Sequence, residues 1–220
     1  MYSATDAPIR NNQGLTFSGD GDGSSNRSWA LSLNAGYDVP QGNMSSTFKA
    51  APTFGFSYLN NYNNFTFNAS IGYVSYKPKF DTAYFVGNDP TQGYLQYGSF
   101  NSLELYSGAA YNISISNNAK FYFGFDLGTY INFFNFSTND GQGNTYAYST
   151  TYEQQFIAPK LGLDFMISNN LSLGVQAKYN FILSAPQDYN LATDNYYESG
   201  YTAMSYKTFS GHVVLTYHFY

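Results

Sequence analysis

From Trp29 onward the chain alternates large apolar residues with small or polar ones at a period of two. Side chains of a strand point to opposite faces in turn, so strict alternation marks a sheet with one apolar face. The pattern predicts eight such runs: Trp29–Asp38, Ala50–Tyr58, Phe65–Tyr73, Leu103–Ile115, Phe121–Gly128, Ile157–Ile167, Leu171–Phe181 and Val213–Phe219. In the third, Phe65, Phe67, Ala69, Ile71 and Tyr73 stand against Thr66, Asn68, Ser70 and Gly72. No competing helical period is present, and no apolar stretch reaches the roughly 18 residues of a transmembrane helix.

The links between the runs alternate too. Asn60–Asn64, Ser116–Asn118 and Ser168–Asn170 are short and Asn-rich, and Asn tolerates the left-handed conformation that tight hairpins need. The other links, 39–49, 77–100, 137–152 and 184–204, are long. Short turns at one end and long connections at the other are the habit of barrels that cross an outer membrane. An internal repeat supports the register: Ala51-Pro52-Thr53-Phe54-Gly55-Phe56 resembles Ala158-Pro159-Lys160-Leu161-Gly162-Leu163, and the copies open the second and sixth runs.

Composition decides which face meets what. Of 220 residues, 20% are aromatic and only 10% charged, with 20 Gly and no Cys. A soluble barrel turns its polar face to water and would carry Lys and Glu there. Here that face is mostly Gly, Ser and Asn, which suits a narrow lumen, while the aromatic face suits lipid. Trp29, Tyr37, Tyr58, Tyr73, Tyr179 and Tyr217 near the run ends suit interfacial girdles. The expected fold is therefore all-β: a transmembrane, antiparallel, up-and-down β-barrel of eight strands over 28–220. Residues 1–27, polar and Gly/Asn/Ser-rich, are expected to form a flexible tail, and their opening Met1–Asp6 lacks the charged start and apolar core of a signal peptide. The alternative is a soluble, lipocalin-like binding barrel. A net charge of -5 argues against nucleic acid as a partner. The absence of Cys excludes disulfides, thiolate metal sites and a cysteine nucleophile.

The ending Val213-Val214-Leu215-Thr216-Tyr217-His218-Phe219-Tyr220 resembles the C-terminal strand of bacterial outer-membrane proteins, with Phe219 in the aromatic slot and Tyr220 one place beyond it. The stretch Leu33-Asn34-Ala35-Gly36-Tyr37-Asp38, with Ile71-Gly72-Tyr73, is similar to small outer-membrane barrels common in Bacteroidetes. The resemblance, to small eight-stranded barrels of the OmpA/OmpX kind, covers about 28–220. It implies an outer membrane of a Gram-negative bacterium, contact with outer-membrane lipid, and recognition of the last strand by the barrel-assembly machinery.

Candidate chemistry lies on the inward face. Asp38, Glu104, Asp126, Lys160, Asp164, Lys178 and His212, with His218 near the end, are expected to form a lumenal polar network, since buried charges must be paired. We expect this network to be structural, with no catalytic residue and no cofactor. Lipid A deacylases resembling this architecture carry His-x-Ser, but Val214 follows His212 and Tyr220 follows His218. Both His lie on the last run, which leaves a Ser/His/acid set few places to assemble. Asp20-Gly21-Asp22-Gly23 lacks the remaining ligands of a calcium loop, so no metal is expected. The long links carry Tyr84, Phe85, Tyr94, Tyr97, Tyr146, Tyr148, Tyr196 and Tyr197, which serve as contact residues or as an upper girdle. The expected role is a structural or interaction one, as a surface adhesin-like protein or an accessory subunit of a larger envelope complex; the alternative is a small pore or hydrophobic-ligand conduit.

Overall fold

The computed structural model describes residues 27–84, 91, 93–183 and 207–219. Its elements are β1 (Arg27–Gln41), α1 (Asn43–Thr47), β2 (Ala51–Tyr62), β3 (Phe65–Tyr76), β4 (Thr82–Tyr84), β5 (Tyr94–Ser116), β6 (Ala119–Asn139), β7 (Thr145–Ser168), β8 (Leu171–Ile182) and β9 (Lys207–Phe219). Each long strand pairs antiparallel with the next, β3 passes directly to β5, and β9 pairs back onto β1. Eight strands thus close an up-and-down barrel, and β4 adds a short strand to the edge of β5 outside that ring.

The pairing fixes the barrel's geometry. Leu31 pairs with Tyr58, then Ala69, Ser107, Leu127, Ile157, Phe181 and Lys207, and the path re-enters β1 at Gln41, ten residues beyond its start. That stagger over eight strands gives a tilt of about 40° and a backbone radius of about 8 Å. A cylinder so narrow has its interior filled by side chains. Closure also leaves no open edge around the ring, which is the condition for strands to cross lipid.

The alternation resolves as the composition demanded. Leu33, Phe54, Leu161 and Val213 point outward and are more than half exposed, whereas Asp38, Glu104, Lys178 and Thr216 point inward and are buried. An apolar surface running round the whole ring would be an aggregation hazard in water and is satisfied in lipid. The lipocalin-like alternative, with its apolar face inward, is overturned by this orientation. At the short-turn end Trp29 stacks on Phe219 at 3.7 Å and on Tyr58 at 6.3 Å, an aromatic girdle across the closing seam. Asn63 takes the left-handed conformation, φ 52°, in the two-residue turn between β2 and β3.

Three of the long connections differ from the sequence expectation. The link 137–152 is not a long loop: β6 runs to Asn139 and β7 begins at Thr145, leaving a tight turn with Gly141 and Gly143 at positive φ. The link 77–100 contains β4 and the first residues of β5. The link 39–49 holds the single turn of helix α1. Polar, Tyr- and Thr-rich strand extensions read as loops because they lack an apolar partner face. Arg27, assigned to the tail, opens β1; the rest of the tail, 1–26, lies outside the described residues.

Candidate functional site

The lumen is built in two layers. Toward the short turns it is polar. Lys160 reaches across to Asp126 at 2.5 Å and donates to Asn68 Oδ1 at 2.7 Å, while Asn68 Nδ2 donates to the same Asp126 carboxylate. Lys178 lies 3.3 Å from Glu104 and sits 4.3 Å over the Tyr106 ring. Lys120 lies 3.5 Å from Asp164. Nearer the long connections, Asp38 is held by hydroxyls instead of a lysine: Tyr76 donates to Oδ1 at 2.9 Å, and Thr208 and Ser210 donate to Oδ2 at 3.0 and 2.6 Å. Buried carboxylates are stable only with partners of this kind. A cavity of about 60 Å³, lined by Ser57, Asn68, Tyr122, Lys160 and Asp164 among others, remains between these groups, room for a few waters.

Toward the long connections an apolar cluster joins the buried polar side chains Asp38, Ser102, Asn132 and Thr208, and the sequence did not announce it. Val74, Tyr76, Phe100, Tyr130 and Phe156 point inward and pack together, with Tyr130 and Phe156 centroids 4.4 Å apart. Met44 and Phe48, in and just after α1, fold down onto this layer and are almost fully buried. Phe48 meets Phe100 at 5.6 Å and Phe134 at 5.9 Å. The connection between β1 and β2 therefore caps the barrel with its own side chains.

All seven lumenal positions expected from the sequence lie inside the barrel and are buried. Six of them take the partners above. His212 is the exception, since neither ring nitrogen has a hydrogen-bond partner among the described residues. Sequence reasoning missed Lys120, which precedes the apolar run of β6; its spacing of two from inward Tyr122 was the available signal. It also missed the Ser172–His218 pair, Oγ to Nε2 2.9 Å. That pair resembles a nucleophile and its base, but Ser172 is fully buried, and a substrate carbonyl has no approach to its Oγ.

A second feature rises above the ring. β1, β2, β3, β8 and β9 are 12–15 residues long, whereas β5, β6 and β7 have 23, 21 and 24. A membrane strand needs only about 9–11 residues, so these three project as a blade, by about 30 Å along the strand for ten surplus residues. Tyr97, Phe136 and Tyr148 stand in one cross-strand row, with Phe136 and Tyr148 stacked at 5.0 Å. Unbroken pairing with β6 carries the alternation of β7 from Gln154 and Phe156 up to Tyr148 and Tyr146, so these tyrosines continue the lumenal face, not the lipid face. That excludes Tyr146 and Tyr148 from a lipid-facing girdle. Tyr94 pairs with Asn139 on the opposite face, and Tyr84 closes β4. Phe85, Tyr196 and Tyr197 lie outside the described residues.

A closed, staggered ring of this kind also occurs in proteins already solved. The Neisserial surface protein NspA aligns at a TM-score of 0.50 and 14% identity, covering 88% of this chain and 99% of its own. A major outer membrane protein from Thermus thermophilus aligns at 0.52 and 12% identity, with the same coverage of 88% and 99%. The chain has the outer-membrane β-barrel fold. No family model and no curated protein sequence matches it. The likeness lies in the architecture, since so few residues are shared.

Proposed function

We propose that the protein is an integral outer-membrane barrel that acts through its blade, as a surface contact or as an accessory subunit of an envelope complex. The carrying observation is the row Tyr97–Phe136–Tyr148, raised above the ring on the face that continues the lumen. Tyr and Phe give large contact area with few torsions to freeze, and here the strand ladder already holds them rigid. A pore is disfavoured by the aromatic layer and the cap of Met44 and Phe48. Catalysis is disfavoured because the acids are engaged by lysines or hydroxyls and the Ser172 hydroxyl is enclosed. The lumenal network is read as structural filling, and the outward alternation of Val213, Leu215, Tyr217 and Phe219 as the signal read during barrel assembly.

The test is envelope fractionation of the expressing bacterium followed by native sizing in mild detergent. It is run on the natural chain and on Phe136→Ser/Tyr146→Ser/Tyr148→Ser. The expected result is an outer-membrane species for both, with larger assemblies or surface binding lost only in the triple variant. Recovery in the soluble fraction would refute the membrane reading. Unchanged assembly and binding in the triple variant would refute the role of the blade.

A further inference from the structure

The low side of the rim carries an arrangement of charge that the barrel does not need. Thr47, Phe48 and Lys49 run antiparallel to Lys77, Pro78 and Lys79, joined by a bridge between Phe48 and Pro78. Lys49 N donates to Lys77 O at 2.9 Å, and Lys79 N donates to Thr47 O at 2.7 Å. Phe48 and Pro78 are buried against the barrel cap, so alternation turns Lys49, Lys77 and Lys79 to the outer face, where all three are exposed. Lys49 stands directly opposite Lys77. Like charges in that relation have Cβ atoms only about 5 Å apart and destabilise a ribbon. None of the three forms an ion pair among the described residues. The chain has only nine Lys and Arg in all, and three of those are buried in the lumen. Placing three more on one short ribbon, without acids between them, calls for a negative partner from outside the chain.

Position says which partner. The ribbon sits just beyond the ends of β2 and β3, where the outward apolar row of Pro52, Phe54 and Tyr73 stops. It therefore lies level with lipid headgroups. Phe80, next in sequence to Lys79, is 73% exposed, an apolar anchor beside the cations. Lys207 opens β9 on its outward face, and β9 is separated from β2 only by β1. Cations thus border the barrel on its β9–β1–β2–β3 side, opposite the blade.

We propose that the ribbon of Lys49, Lys77 and Lys79, flanked by Lys207, is a binding site for the phosphate groups of a phosphorylated glycolipid in the leaflet at the long-connection end. The inference rests on the outer-membrane reading with that end outward. The site clamps lipid phosphate on one side of the ring, which fixes the barrel's rotation in the leaflet and leaves the blade side free for its partner.

The experiment folds the full chain into phosphatidylcholine nanodiscs containing a minor fraction of bisphosphorylated lipid A. Lipid retained after gentle detergent extraction is then counted by mass spectrometry. The natural chain is expected to retain lipid A in preference to phosphatidylcholine. Lys49→Ser/Lys77→Ser/Lys79→Ser is expected to lose that preference by on the order of a hundredfold, and the corresponding triple Arg variant to keep it. The preference is also expected to fall with added salt, as it does for exposed charges. Equal retention by the natural chain and the Ser variant, or displacement of the lipid by inorganic phosphate alone, would overturn the proposal. Folding, read as a heat-sensitive gel mobility, separates the two readings. Insertion without lipid preference refutes only the phosphate site, whereas failure of the natural chain to insert refutes the membrane reading with it.

Discussion

The Glu104–Lys178 pair offers the sharpest test of how the lumen is held. Its Nζ and Oε2 atoms lie 3.3 Å apart, with side chains 3% and 5% exposed. Lys178 is otherwise surrounded by the rings of Tyr106 and Phe156, at 4.3 and 5.7 Å. Replacing Glu104 by Gln removes the carboxylate and leaves an ammonium in an enclosed, largely aromatic space. Breaking one side of such a buried pair costs about 3–5 kcal/mol, whereas replacing both partners by uncharged groups of similar volume is close to neutral. Glu104→Gln is therefore expected to lose about 3–5 kcal/mol, and Glu104→Gln/Lys178→Met to recover most of it. The two single changes must then be strongly non-additive, as for residues in direct contact. The assay is equilibrium unfolding by urea in lipid vesicles, followed by fluorescence of Trp29, the chain's one tryptophan, and by gel mobility. A loss under about 1 kcal/mol in the single variant, or a double variant no better than the single, would show that water reaches the pair and that the lumen is not sealed around it.

Three further outcomes follow from the same structure. Gly124→Ala places a methyl group against the Ala109 carbonyl and Ala110 Cα across the strand pair and should cost about 1–3 kcal/mol, whereas Gly211→Ala, whose Cβ meets nothing, should be neutral or slightly stabilising in the same unfolding assay. In planar bilayers the natural barrel should show no stepwise conductance and Phe100→Ala/Phe156→Ala should show some; steps of equal size in both would refute the aromatic seal. At the blade tip, the Asn144 side-chain amide and then the Gln142 backbone N–H hold the Asp140 carboxyl below its ordinary value of 3.8. Because that value is lowered by folding, the turn's stabilisation is complete above the unfolded value and is lost as pH falls through the folded one. The Asn144 side-chain resonances should therefore titrate with a midpoint below pH 3.8, and Asp140→Asn should abolish the step.

The wall was legible because lipid imposes a simple rule. Outward positions are predominantly apolar, so runs such as Phe65-Thr66-Phe67 and Leu171-Ser172-Leu173 spell out both strand and face. Inward charges such as Asp126 and Lys160 stood out against Gly and Asn for the same reason, although only the three-dimensional stagger could pair residues so far apart in sequence. Where neither face meets lipid the rule lapses. Thr145–Tyr152 has no apolar row to betray a strand, yet it is held in register with β6 by backbone pairing throughout. The aromatic layer was hidden by parity. Tyr130 and Phe156 are the same residue types as the lipid-facing set, and only their place in the alternation sends them inward.

The unequal strand lengths tie these observations together. A barrel that only needed to cross lipid could stop all of its strands where β2 and β3 stop. Three adjacent strands continue instead, and their aromatic row faces inward across the rim. Lipid cannot account for that row, because it lies on the wrong face. Sealing the lumen cannot account for it either, because Met44, Phe48, Phe100 and Phe156 already do that below it. On the opposite side the strands end at once in the exposed Lys49, Lys77 and Lys79. One side of the ring is thus built low and cationic, the other tall and aromatic. Under the proposed function, a protein with a closed interior and two such different sides acts at its rim, and its orientation in the leaflet is part of how it works.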